Sequence, residues 1–115
     1  MIEKILLKHL NDSLDVPCYM EKPEPSPDKF VRIEKTGSSN SNYIDTATLA
    51  VQSYASSLLD AATLNEDVKI ALRGLLKNDQ VAAVNILSDY NFTDTTKKKY
   101  RYQAVVNITY YDERR

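Results

Sequence analysis

One stretch constrains this chain more than any other: Tyr100-Arg101-Tyr102-Gln103-Ala104-Val105-Val106-Asn107-Ile108-Thr109-Tyr110-Tyr111. Its side chains alternate in kind over twelve positions, the period of a β-strand with one buried face. Tyr100, Tyr102, Ala104, Val106, Ile108 and Tyr110 share a face that is apolar or aromatic and is expected to pack on helices. Arg101, Gln103, Val105, Asn107, Thr109 and Tyr111 share the other face, which is polar but weakly charged. At about 3.4 Å per residue the stretch spans roughly 40 Å. A compact domain of this length has a radius of gyration of about 13 Å and a diameter of about 35 Å, so the strand reaches the limit of the domain or passes it. Two readings follow. Gln103, Val105, Asn107, Thr109 and Tyr111 form a contact between subunits, or the strand is an ordinary central one with a frayed end.

The rest of the chain supplies short, distinct elements. Ile2, Ile5, Leu6, His9 and Leu10 recur at helical spacing and predict a first helix over residues 2–12. Residues 16–20 read as a short strand, which Pro17 confines to a sheet edge or a strand start because it lacks an N–H. Pro23, Pro25 and Pro27 then favour an extended, stiff connector. Residues 30–35 are a second strand. Gly37, Ser38, Ser39, Asn40, Ser41 and Asn42 follow as turn-forming residues, predicting a mobile polar loop over 36–43. Residues 44–54 make a third strand, with Ala47, Leu49 and Val51 on one face and Thr46, Thr48, Ala50, Gln52 and Tyr54 on the other.

Ser56 or Ser57 can cap a long helix over 57–77, with Leu58, Ala61, Ala62, Val68, Ala71, Leu72, Leu75 and Leu76 as its apolar stripe. A kink or a break into two helices is left open at Asn65-Glu66-Asp67. Residues 80–88 form a fourth strand around Val81, Val84, Ile86 and Leu87, and residues 89–96 a turn-rich connection. At 115 residues the chain is one domain, 1–115. The order α-β-β-β-α-β-β predicts an α+β fold: a mixed, mainly antiparallel sheet of about four to five strands, with one long and one short helix on one face.

The residues that carry common enzyme chemistry are few. Gly37 and Gly74 are the two glycines, so no glycine-rich phosphate loop can be written. His9 and Cys18, one of each type, stand apart in apolar patterns and are expected to be packed residues, not a nucleophile and its base. Residues 89–94 resemble a calcium loop only faintly: Asp94 stands where the turn glycine is required, and Tyr100 stands at the position of the final glutamate. The expectation is a non-enzyme with no cofactor and no metal. A single cysteine also excludes a disulfide framework and fits a reducing cytoplasm. Residues 1–8 are amphipathic without a long apolar run, so neither a signal peptide nor a membrane span is expected there.

Charge is nearly balanced overall, 15 basic against 16 acidic residues, but residues 97–115 hold six basic against two acidic ones. Lys97, Lys98, Lys99 and Arg101 interleave with Tyr100 and Tyr102, a mixture that suggests nucleic acid. A stacking surface needs arginine and aromatic side chains on one side. Alternation puts Arg101 opposite the tyrosines, so these four cations are expected at the strand's entrance, able to act on a polyanion through charge alone.

Several segments resemble the tail terminator group, the small tail-completion proteins of long-tailed bacteriophages and prophages. They are Asp15-Val16-Pro17-Cys18-Tyr19-Met20 with Phe30-Val31-Arg32-Ile33-Glu34-Lys35-Thr36-Gly37, then Ala47-Thr48-Leu49-Ala50-Val51-Gln52-Ser53-Tyr54-Ala55. The strongest is Ser88-Asp89-Tyr90-Asn91-Phe92-Thr93-Asp94, continuing through Tyr100-Arg101-Tyr102-Gln103-Ala104-Val105. The resemblance spans most of the chain at the level of pattern and includes no catalytic fingerprint. It implies a structural subunit of a hexameric ring at the virion head–tail junction, assembled in the bacterial host cytoplasm. Such a ring caps the tail tube, ends its polymerisation and docks the head–tail connector protein, while DNA passes through the hole unread. The implied partners are copies of itself, the tail tube protein, the connector protein and DNA, with no membrane. A head-side connector or head-closure ring is the alternative, and a small non-specific DNA-binding module using Lys97 to Arg101 a further one. On this reading the loop at 37–42 engages a neighbouring ring, and Lys97, Lys98, Lys99 and Arg101 sit at the hole or rim.

Overall fold

The long alternating stretch forms an inner strand. A computed structural model of the chain describes residues 1–41, 44–97 and 99–111. Among them the order is α1 (Ile2–Ser13), β1 (Cys18–Tyr19), β2 (Phe30–Ser41), β3 (Ile44–Ala55), α2 (Leu58–Gly74), a 3-10 turn (Leu75–Lys77), β4 (Val81–Asn91) and β5 (Tyr100–Tyr111). The described strands make one sheet in the order β1-β2-β3-β5-β4. β1 runs parallel to β2, and the other pairings are antiparallel. The fold is α+β with a mixed, mainly antiparallel sheet, in the expected order of elements.

β5 pairs with β3 along its whole length, from Tyr100 opposite Ala55 to Tyr111 opposite Ile44. Its inward face buries Ala104, Val106 and Ile108 completely. Ala47, Leu49 and Val51 of β3 and Val31 and Ile33 of β2 continue that face. Ile2, Leu6 and Leu10 of α1 and Leu64, Val68 and Leu72 of α2 close over it in one apolar cluster. Each fully buried Val, Leu or Ile among them contributes about 1.5–3 kcal/mol by leaving water. The molecule measures 44 × 24 × 23 Å. Its long axis matches the reach of twelve-residue strands at about 3.3 Å per residue.

Local chemistry explains where the helices begin and continue. Ser57 caps α2, its Oγ accepting the Asp60 N–H at 3.2 Å. The helix runs unbroken through Asn65-Glu66-Asp67. Asn65 is buried at 1 % exposure, and its Nδ2 donates to Asp89 of β4 at 2.9 Å. A residue that would compete with the helix backbone at the surface is thus occupied by a tertiary partner. Leu58 and Leu76 leave the expected stripe, at 41 % and 52 % exposed. Leu58 lies in the first turn at the helix end. Leu76 lies in the 3-10 turn, whose three-residue repeat rotates it off the α-helical stripe. His9 ties α1 to α2: its Nε2 lies 2.6 Å from the Ala71 carbonyl oxygen. A carbonyl only accepts, so Nε2 carries the proton.

Three expectations about the strands change as well. Gly37, Ser38, Ser39, Asn40 and Ser41 are not a loop. They continue β2, pairing with Thr48, Ala47, Thr46, Asp45 and Ile44 in turn. A register shift between Lys35 and Gly37 accommodates Thr36, whose Oγ1 donates to the Thr48 carbonyl at 3.2 Å. The long partner β3 overrides the turn-forming composition. Asn42 lies outside the described residues. β4 runs on through Asn91, three residues beyond its expected end, so the connection to β5 starts later than its composition suggested. Leu87, expected to be apolar core, is 50 % exposed. It follows Ile86, which packs on the core, so alternation turns it to the other face, at the register shift between Ile86 and Ser88.

Candidate functional site

The sheet face turned away from the helices carries most of the candidate residues. Gln103, Val105, Asn107, Thr109 and Tyr111 all project from it, as alternation requires. β5 is internal, so β3 and β4 take up its backbone groups, and these five residues can meet a partner through side chains alone. Most are already engaged across the sheet. Thr48 Oγ1 donates to Asn107 Oδ1 at 2.6 Å, and Thr46 Oγ1 lies 3.3 Å from Thr109 Oγ1. Gln103 accepts from Gln52 Nε2 at 2.8 Å and donates to the Tyr90 hydroxyl at 2.5 Å. Tyr111 is half exposed. The face is a polar ladder satisfied largely within itself.

At one end of that face a row of rings and one guanidinium crosses the sheet. Tyr19 meets Phe30 edge-on with centroids 6.1 Å apart, and Phe30 stacks on Tyr54 at 4.4 Å and 8°. Arg101 comes next, its guanidinium carbon 5.7 Å from the Tyr54 centroid and 4.4 Å from that of Phe92. Tyr90 closes the row against Phe92 at 5.9 Å. Arg101 Nη1 donates to the Tyr54 hydroxyl at 2.9 Å, and that hydroxyl donates to Gln52 Oε1 at 3.2 Å. Arg32 Nη1 donates to the same Gln52 oxygen at 3.2 Å. Each strand contributes one member, with Phe92 added just beyond β4, and no contiguous motif marks the row. Alternation places Phe30, Tyr54 and Arg101 on outer faces, but their meeting depends on register.

Arg101 therefore stands apart from the lysines with which it was grouped, as a structural member of this row that also lines a groove. Lys97 and Lys99 lie in the turn entering β5, where Asp94 pairs with Lys99 as an isolated bridge. Lys98 lies outside the described residues. The groove collects Lys22, Arg32, Tyr54, Asp94, Lys97, Lys99 and Arg101. Lys22 and Arg32 come from distant positions in the sequence, and charge runs along the chain did not single them out.

Two long backbone edges complete the picture. β1 pairs with β2 at Val31 and Arg32. From Ile33 to Ser41, β2 has no strand on its outer side among the described residues, and residues 34–41 are exposed throughout. β4 forms the opposite edge from Val81 to Asn91. Such edges present rows of unpaired N–H and C=O groups to another chain. Both carry register shifts, one in β2 and two in β4, a device that limits indiscriminate pairing. The residues expected to engage a neighbouring ring, Gly37 to Ser41, form one of these edges.

Cys18 is buried at 5 % exposure in β1, and burial pushes its thiol up to about 11. Among the described residues no group of His, Cys, Asp and Glu is arranged to hold a metal ion, and no helix is long and apolar enough to cross a membrane. No protein-family model matches the chain, and comparison with curated proteins returns no match.

Proposed function

We propose that the chain is a structural subunit of the head–tail joint of a long-tailed bacteriophage, of the tail terminator type. It assembles into a ring, caps the finished tail tube, ends its polymerisation and joins the tail to the head connector. The observation that carries this reading is the pair of outer sheet edges, β2 beyond its pairing with β1 and Val81–Asn91 of β4, which have no further strand beside them among the described residues and lie on opposite sides of one sheet. The two edges are different surfaces, so joining the first of one copy to the second of the next is a heterologous contact. Repeated, such a contact closes into a ring when the rotation per copy allows it, and otherwise runs on as a filament. The hexamer that the sequence resemblance implies is one such closure. Solvation favours the polar outer face as a surface of the ring. The role is architectural and calls for no catalytic group.

A head-side connector ring is the second reading, and the same two edges favour it. The partner separates the two. Native mass spectrometry and negative-stain microscopy of the chain, alone and with tail tube protein, test the proposal. Six-copy species and rings seated on tube ends support it. Monomers under both conditions overturn the ring, and rings that bind connector protein but never tube move the chain to the head side.

A further inference from the structure

Five cationic side chains from four separate segments converge on one groove. Lys22 comes from the proline-rich connector, Arg32 from β2, Lys97 and Lys99 from the turn between β4 and β5, and Arg101 from β5. A second groove shares Lys22, Tyr54 and Lys99 with the first and adds Ser26, Asp28 and Ser56. Together they form a trough across the end of the sheet, which suits a linear ligand better than a single small ion.

The charges in the trough are poorly neutralised. Lys22, Lys97 and Lys99 make no side-chain ion pair among the described residues, and neither does Arg101. Arg32 faces Glu34 at 3.6 Å, and its Nε is buried without a hydrogen-bond partner. Two carboxylates line the trough, Asp28 and Asp94. Asp94 Oδ1 accepts the N–H groups of Thr96 at 3.0 Å and Lys97 at 3.3 Å, so part of its charge is spent on the turn itself. Like charges gathered in a concave site raise the local concentration of anions.

The same geometry limits what the anion can be. Phe30 and Tyr54 stack on each other and are buried, so neither offers a free face to a base, and Phe92, with Arg101 over its ring, lines neither groove. Peptides are held by adding to a free strand edge or by filling apolar grooves. Here the flanking stretch of β2 is already paired with β1, and the aromatic side chains Phe30 and Tyr54 are buried. What remains is flexible point charge, which matches phosphates along a backbone. We infer that the trough binds the phosphodiester backbone of double-stranded nucleic acid without reading its sequence, with Lys22, Lys97 and Lys99 as the groups that neutralise phosphate.

The test is fluorescence anisotropy of labelled DNA duplexes of unlike sequence, titrated with the full chain at two salt concentrations. Three neutralised phosphates predict affinity falling about 40-fold between about 50 and 200 mM salt, with a log–log slope of about −2.7. Each of K22A, K97A and K99A is expected to flatten that slope by about 0.9, with circular dichroism unchanged, while K77A, outside the trough, leaves it as it was. Equal affinity for the unlike duplexes completes the expected result. No binding at the lower salt overturns the inference, as does an unaltered slope in K22A/K99A. Poly-glutamate competing as well as duplex also overturns it, in favour of an acidic protein partner. The inference does not rest on the ring: binding is read on the isolated chain in whatever state it adopts, so either proposal can fail while the other stands.

Discussion

Arg101 holds Phe92 twice: its guanidinium carbon lies 4.4 Å from the ring centroid, and its Nε donates to the Phe92 carbonyl at 2.7 Å. Ring and backbone of the residue just beyond β4 are thus fixed to β5 by one side chain. The remaining contact, to the Tyr54 hydroxyl at 2.9 Å, reaches β3. A planar fork serves all three, and an ammonium cannot. R101A is expected to destabilise the fold by about 2 kcal/mol, the scale of a charged hydrogen bond with a cation–π contact. R101K should recover less than half of that. Urea denaturation followed by circular dichroism measures both, and equal stability of R101K and wild type would contradict the role given to the guanidinium plane.

Asp89 joins β4 to α2 through two partners, accepting from Asn65 Nδ2 at 2.9 Å and pairing with Lys69 at 3.0 Å. Lys69 also pairs with Glu66 at 2.9 Å, and the hydrogen bonds to Glu66 and then Asp89 raise its pKa. D89A leaves the buried Asn65 amide without its acceptor, at a cost of about 1–3 kcal/mol. D89N keeps an acceptor oxygen but removes the charge, so most of that loss should be restored. A D89A variant as stable as wild type would show that the Asn65 contact contributes nothing. The raised Lys69 pKa has its own signature. Its contribution is present below the ordinary lysine value and is lost as pH rises through the higher folded one.

Alternation alone placed Ala104, Val106 and Ile108 against the helices and Gln103, Asn107 and Thr109 away from them, because a strand's period is set by the backbone. His9 was readable as a packed residue from its place in the α1 stripe. What could not be read depends on contacts between distant segments. Gly37 to Ser41 look like a turn until the length of β3 is known to include a partner for each. The meeting of Phe30, Tyr54 and Arg101 follows from register, which one strand's composition does not specify. Lys22 joins Lys97 and Lys99 only because the proline-rich connector passes the entrance to β5.

The edge of β2 gives a test of assembly that spares the fold. Ser39 and Ser41 are exposed and lie on the stretch with no outer strand partner among the described residues. Lysines there place like charges along the edge, a substitution that natural sheets use to prevent pairing. S39K/S41K should keep its melting temperature within a few degrees, since exposed substitutions change stability by about 0.5 kcal/mol or less. Ring formation with tube protein should be abolished. Intact rings from this variant would exclude the β2 edge as the subunit contact.

Cys18 reports on the same fold through pH. It is buried in β1, and its Sγ lies 3.8 Å from the Val16 carbonyl, toward which the thiol can donate. Burial disfavours the thiolate and raises the pKa from 9.0 to about 11. The folded state therefore keeps a proton that the unfolded chain releases. Its contribution to stability is complete below the unfolded value and is lost as pH rises from about 9 toward about 11. Two outcomes follow. Iodoacetamide at pH 8 should alkylate the native chain far more slowly than the chain in urea, because the thiolate is the reactive form. The urea midpoint should decline between pH 9 and 10.5 more steeply in wild type than in C18A. That comparison removes the contribution of lysines and tyrosines titrating in the same range. Parallel pH profiles for the two proteins, or rapid alkylation of the native chain, would mean that Cys18 meets solvent and that β1 does not seal the edge beside Val31.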